Sequence, residues 1–114
     1  MKYKIIQTDR RYKHNELFRY YVEFSSAMVN NQGPLNFTRA LKWFTDTYGW
    51  TTEVALYQDI TRWAAIRKIV PGQPAELPTE CNPRWSWGKD QGSLRIYIAT
   101  DSELAFFCMA HPLD

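Results

Sequence analysis

The side chains best suited to contact another molecule fall in three places. The segment DRRYKHN gathers Arg10, Arg11, Lys13 and His14 around Tyr12. Cations beside an aromatic ring suit phosphates, with the ring free to stack on a base, or an acidic protein surface. Residues 1–20 hold six Lys and Arg against two acids, a local charge of +4; the whole chain carries +2, so the remainder is about −2. A solvated loop that keeps a hairpin soluble would use the same residues. The segment WFTDTYGW supplies Trp43 and Trp50 at or beyond the edge of an apolar stripe. Exposed Trp near Arg and Tyr is the composition of protein-binding hot spots, and packing against a long loop is the competing role. The third place is the strand RIYI, where Arg95 and Tyr97 share a face.

Reaction chemistry finds less support. The chain has no Gly-x-Ser-x-Gly elbow, no glycine-rich phosphate loop, no His-Glu-x-x-His and no Cys-x-x-Cys. Two histidines, His14 and His111, exclude a three-histidine metal site, and Cys81 and Cys108 fit no zinc spacing. No catalytic residue, metal ligand or cofactor is nominated. Twelve acids could still assemble a carboxylate pair, which would require a polar pocket. His14 sits among cations that oppose its protonation, whereas His111 falls on the apolar stripe of a helix and suits a packing or capping role. The two cysteines are expected as free thiols in a reducing compartment. A net charge of +2 is too small to imply nucleic-acid binding. With no apolar stretch of about 18 residues and no secretory leader, the chain is expected to be soluble and intracellular.

These side chains must be positioned by one domain, since 114 residues build one core. Lys2 to Thr8 reads as a short strand. In LFRYYVEFS, Phe18, Tyr20, Val22 and Phe24 recur at a period of two, which makes a half-buried strand and an N-terminal hairpin. NNQGPLN breaks the pattern, and Asn36 is placed to cap a helix whose stripe is Phe37, Ala40, Leu41, Phe44 and Tyr48, ended by Gly49. Residues 52–70 mix two periods: the reading is a strand through Val54 to Tyr57, then a helix through Asp59 to Ile69. Pro71, Pro74, Pro78 and Pro83 mark a surface loop. After a second hairpin, Thr100 and Glu103 have the spacing of a capping box, opening a helix with Leu104, Phe107, Cys108 and His111 on one stripe and Pro112 as its stop. The order predicts an α+β domain: an antiparallel sheet of four or five strands in two hairpins, with two or three helices packed on one face.

Within the second hairpin, Trp85 and Trp87 share one face. A loop of two residues, Asp90 and Gln91, or of four sets Trp87 opposite Leu94 and Trp85 opposite Ile96, so the rings are core. A loop of three or five would slip the register and move them to the face of Arg95 and Tyr97. Burying a large apolar side chain contributes about 2–3 kcal/mol, which favours the first arrangement. Each indole N–H then needs a partner.

The Trp-x-Trp strand (Trp85, Trp87), the strand Arg95 to Ile98 and the acidic helix with Glu103 and Phe107 together resemble the ends of small accessory proteins of tailed bacteriophages. The similarity covers about 30 residues and is one of pattern. It implies a bacterial host protein as partner, in the cytoplasm of the host cell, and no catalytic residue. The expected function is therefore a small non-enzymatic protein that binds and modulates a host protein. Its contact residues would be Arg10, Arg11, Tyr12, Lys13, Trp43, Trp50, Arg95 and Tyr97. The alternative is a nucleic-acid binder that uses the basic hairpin; no membrane association is expected.

Overall fold

The computed structural model describes residues 1–9, 11, 17–25, 32–67 (side chains to Trp63), 80–90 and 92–113. Four strands form one antiparallel sheet: β1 (Lys4–Gln7), β2 (Tyr20–Ser25), β3 (Trp85–Asp90) and β4 (Ser93–Ile98), in the spatial order β1-β2-β4-β3. The helices are α1 (Gln32–Tyr48), α2 (Val54–Arg67) and α3 (Asp101–Ala110). This is the α+β fold read from the sequence, with each sequential pair of strands a hairpin and β2 and β4 paired at the centre.

The second hairpin closes between the paired Asp90 and Ser93, with Gly92 at φ 81°, a left-handed conformation that glycine adopts without penalty. Trp87 therefore pairs with Ile96 and Trp85 with Ile98. The turn sits one residue later than expected, which moves the register by two. Because side chains alternate with a period of two, the tryptophans keep the face predicted for them. Trp85 is 2% exposed and stacks on Phe44 at 5.2 Å, and Trp87 is half-buried on the same side.

On that face Val22, Phe24, Leu94, Ile96 and Ile98 meet Phe37, Ala40 and Phe44 of α1 and Phe107 of α3. Phe37, Ala40 and Phe44 lie three and four residues apart, so one side of α1 is buried along its length. The helix begins at Gln32, earlier than the Asn36 cap expected, and Asn36 is buried inside it. Pro34 fits the first turn because its missing N–H is one that a helix leaves unpaired. A Cβ on Gly33 would overlap the Ser25 carbonyl oxygen, so glycine lets the helix start close against the end of β2.

The opposite face is also covered, by α2. Tyr21 and Tyr97 pack with Phe18, Cys81, and Val54 and Tyr57 of α2. Residues 54–67 form one helix rather than a strand followed by a helix. Val54 and Tyr57, one turn apart, are both buried, while Leu56, which alternates with Val54 in the sequence, is exposed. Packing decides here over β-propensity. Gly88 permits the contact: a Cβ there would come within 2.7 Å of the Val54 Cγ1.

At α3 the expected start is right and the expected cap is not. Thr100 has extended backbone, but its side chain makes no capping hydrogen bond. Glu103 accepts from Arg84 at 3.3 Å instead, and Asp101 accepts from the Tyr20 hydroxyl. His111 ends the helix, its N–H donating to the Phe107 carbonyl at 2.8 Å. Cys81 and Cys108 are free thiols in clusters on opposite sides of the sheet. Among the described residues, no helix is long and apolar enough to cross a membrane.

Candidate interaction surface

Of the eight expected contact residues, the five that are described take up different environments. Arg10, Tyr12 and Lys13, with His14, lie outside the described residues. Arg11 is exposed and forms an ion pair with Asp9 at 2.8 Å, and its backbone N–H donates to the same carboxylate. That guanidinium holds the Asp9 carboxyl below the usual carboxylate range.

Arg95 and Tyr97, expected as surface contacts, turn inward. Tyr97 is 3% exposed and packs at 5.6 Å from Tyr21, because α2 covers the face that the sequence leaves open. The Arg95 guanidinium lies 4.4 Å over the Tyr21 ring, reaches Asp90 at 3.3 Å and donates from Nε to the Ser93 hydroxyl at 3.0 Å. It closes one end of a core. Trp43 is half-buried, its ring 5.0 Å from Phe44, 5.3 Å from Phe106 and 5.6 Å from both Phe107 and His111. Burial pushes the His111 pKa down, as its packing role requires.

Trp50 alone among the described members of the set keeps a large exposed ring, at 63%. It projects from the turn between α1 and α2, which is built as follows. Gly49, at φ 98°, ends α1 with its N–H donating to the Thr45 carbonyl at 2.9 Å. Asn82 then donates through Nδ2 to the carbonyls of Tyr48, at 2.8 Å, and Gly49, at 3.3 Å, and its backbone N–H donates to the Thr51 hydroxyl at 3.2 Å. The Trp85 indole N–H donates to the Gly49 carbonyl at 2.9 Å, which supplies the partner that its burial demanded. Further on, the Thr52 N–H donates to the Glu80 carbonyl at 3.0 Å, and the Ser86 hydroxyl to the Thr52 carbonyl at 2.8 Å. Thr51 and Thr52 are buried on either side of these bonds.

The backbone under Trp50 is thus tied to residues 80–86, some 30 positions away, while its ring points to solvent. Arg84 follows Asn82 and takes its backbone bond, N–H to Asn82 Oδ1 at 2.9 Å. Its half-exposed guanidinium lies 5.6 Å over the Tyr48 ring. Sequence reasoning had no access to Asn82 or Arg84, since what marks them is the chain segment they meet.

A cavity of about 320 Å³ opens between α2 and the second hairpin, lined by Glu53, Asp59, Lys89, Asp90 and Tyr97 among others. It is the polar pocket that an enzyme built from dispersed acids would require. Its chemistry is subdued: Asp90 is paired with Arg95, and burial pushes the Tyr97 hydroxyl up, keeping it protonated. The lining residues include no histidine or cysteine, and among the described residues no three His, Cys, Asp or Glu side chains gather as a metal site. No protein family, curated protein or solved structure matches the chain.

Proposed function

We propose that the chain is a small non-enzymatic binding protein that docks onto another protein through the Trp50 turn. The observation that carries this reading is a tryptophan exposed over 63% of its surface on a backbone held by hydrogen bonds from Asn82, Trp85 and Thr52. Binding energy concentrates in Trp, Tyr and Arg side chains, and a rigid anchor loses little conformational entropy when it docks. Arg84, half-exposed beside the turn, supplies the second side chain of that type. The resemblance of residues 84 onward to accessory proteins of tailed phages makes a cytoplasmic protein of a bacterial host the partner we propose.

The test is affinity capture from bacterial lysate, with and without nuclease treatment, using the native chain and Trp50→Ala. A specific protein retained by the native chain and lost from the variant, with both melting at the same temperature, is the expected result. Equal retention by both, or no specific protein on either, overturns the reading. Capture that disappears with nuclease, or that weakens steeply with salt and ignores Trp50→Ala, replaces it with nucleic-acid binding.

A further inference from the structure

The last helix has two apolar sides, and the fold uses one. Leu104, Phe107 and Cys108 of α3 pack toward the sheet and α1. On the outer side Phe106 is 50% exposed, Met109 78% and Leu113, just past the helix, 51%. Phe106, Met109 and Ala110 lie three and four residues apart on one stripe of the helix, and Leu113 follows beyond its end. From Leu104 to Leu113 the sequence holds no Asp, Glu, Lys or Arg. A helix apolar on every side is normally enclosed on every side.

We propose that the outer face of α3 is the contact of a two-fold dimer, covered by the same face of a second copy. Two features favour a second copy over a different partner. A two-fold interface requires a patch that complements itself. A patch whose own side chains carry no charge does so, although the Met1 ammonium donates to the Pro112 carbonyl at its edge, and it gives a charged partner little to recognise. Shape agrees with this, because bulky Phe106 and Met109 are flanked by small, exposed Ala105 and Ala110. Helices that cross antiparallel about the axis set the large side chains of each over the alanines of the other.

The area also suits such a pair. Phe106, Met109 and Leu113 are each half or more exposed, and the alanines beside the first two are exposed as well. Two copies meeting over these side chains would bury on the order of 1,000 Å², the size of a weak, transient interface. That size implies a weak dimer that exchanges with monomer. The Trp50 turn lies at the other end of α3, where Tyr48 meets Arg84 and Glu103, so it stays accessible in the pair.

Sedimentation velocity on the full chain, from about 1 to about 200 μM, tests the proposal. A monomer–dimer equilibrium in the micromolar range is expected. Met109→Glu, at a side chain already 78% in solvent, should weaken it at least about tenfold and leave the melting temperature unchanged. Leu113→Glu should do the same, and Trp50→Ala should leave the dimer intact. A chain that stays monomeric throughout, or a dimer indifferent to both glutamates, overturns the proposal without bearing on the Trp50 reading.

Discussion

Against α1 and α3 the sheet presents Val22, Leu94, Ile96, Ile98 and Trp85; against α2 it presents Tyr21, Tyr97 and Ser86. The first side is filled mostly by hydrocarbon and stacked rings, with the Tyr3 hydroxyl donating to the His111 carbonyl and the Trp85 indole N–H to that of Gly49. The second side, around Phe18 and Val54, has a larger share of side chains with polar tips. Tyr57 donates to the Asn82 carbonyl at 2.8 Å, Ser86 to the Thr52 carbonyl at 2.8 Å, and Arg95 lies over Tyr21. The difference teaches where cohesion and placement come from. Apolar area removed from water is non-directional and holds the sheet to two helices. Hydrogen bonds are directional, and on the second side they fix where α2 and residues 80–86 sit, and with them the Trp50 turn.

That contrast can be broken most forcefully at Trp85. Trp85→Ala removes a side chain 2% exposed together with its bond to Gly49. It should cost about 3–5 kcal/mol in urea unfolding. A loss below about 1 kcal/mol would show that the first side does not carry the cohesion.

Gly88→Ala probes the second side by overfilling it, since the new methyl would press on Val54. A loss of about 1–3 kcal/mol is expected, with most of it recovered in Gly88→Ala combined with Val54→Ala. Failure of the second change to recover stability would place the clash elsewhere.

Tyr57→Phe separates hydrogen bonding from area and should cost about 1 kcal/mol near neutral pH. It also has a pH signature. Burial first, and then Cys81, push the Tyr57 hydroxyl up to about 12, whereas an unfolded tyrosine titrates near 10. The folded state thus favours the protonated phenol; this stability is fully present below about pH 10 and is lost as pH rises toward about 12. Thermal melts from pH 8 to 12 should show a shallower alkaline decline in Tyr57→Phe, with the remainder shared among Tyr3, Tyr48, Tyr97 and Cys81, which burial also pushes up, and Tyr20, which its bond to Asp101 pushes up. An unchanged decline would mean that Tyr57 does not titrate with folding.

The smallest effect is expected at Thr100. With no side-chain capping bond to lose, Thr100→Ala should change stability by under about 0.5 kcal/mol, where a formed cap is worth about 1. A full cap-sized loss in the same melts would restore the capping box read from the sequence.

Much of the first side was legible because its period is local. The stripe of α1 and the shared face of Trp85 and Trp87 follow from spacing alone, and the error of two in the hairpin register left the face unchanged. The capping box was legible as a pattern yet did not form: the Thr100 side chain makes no capping bond, and Glu103 pairs with Arg84 from another part of the chain. Tyr97 and Arg95 looked like surface residues because strand alternation says nothing about whether a second helix arrives. Trp50 was named from its type and its place off the stripe, but the bonds from Asn82 and Trp85 that hold its turn span more than 30 positions.

The sequence by itself determined which side chains share a face, since alternation along a strand and the 3.6-residue turn of a helix belong to the local backbone. The tertiary structure decided which faces meet water. Burial of Tyr97, Val54 and Cys81 depends on α2 crossing Gly88, and a contact between residues 54 and 88 has no local period to announce it.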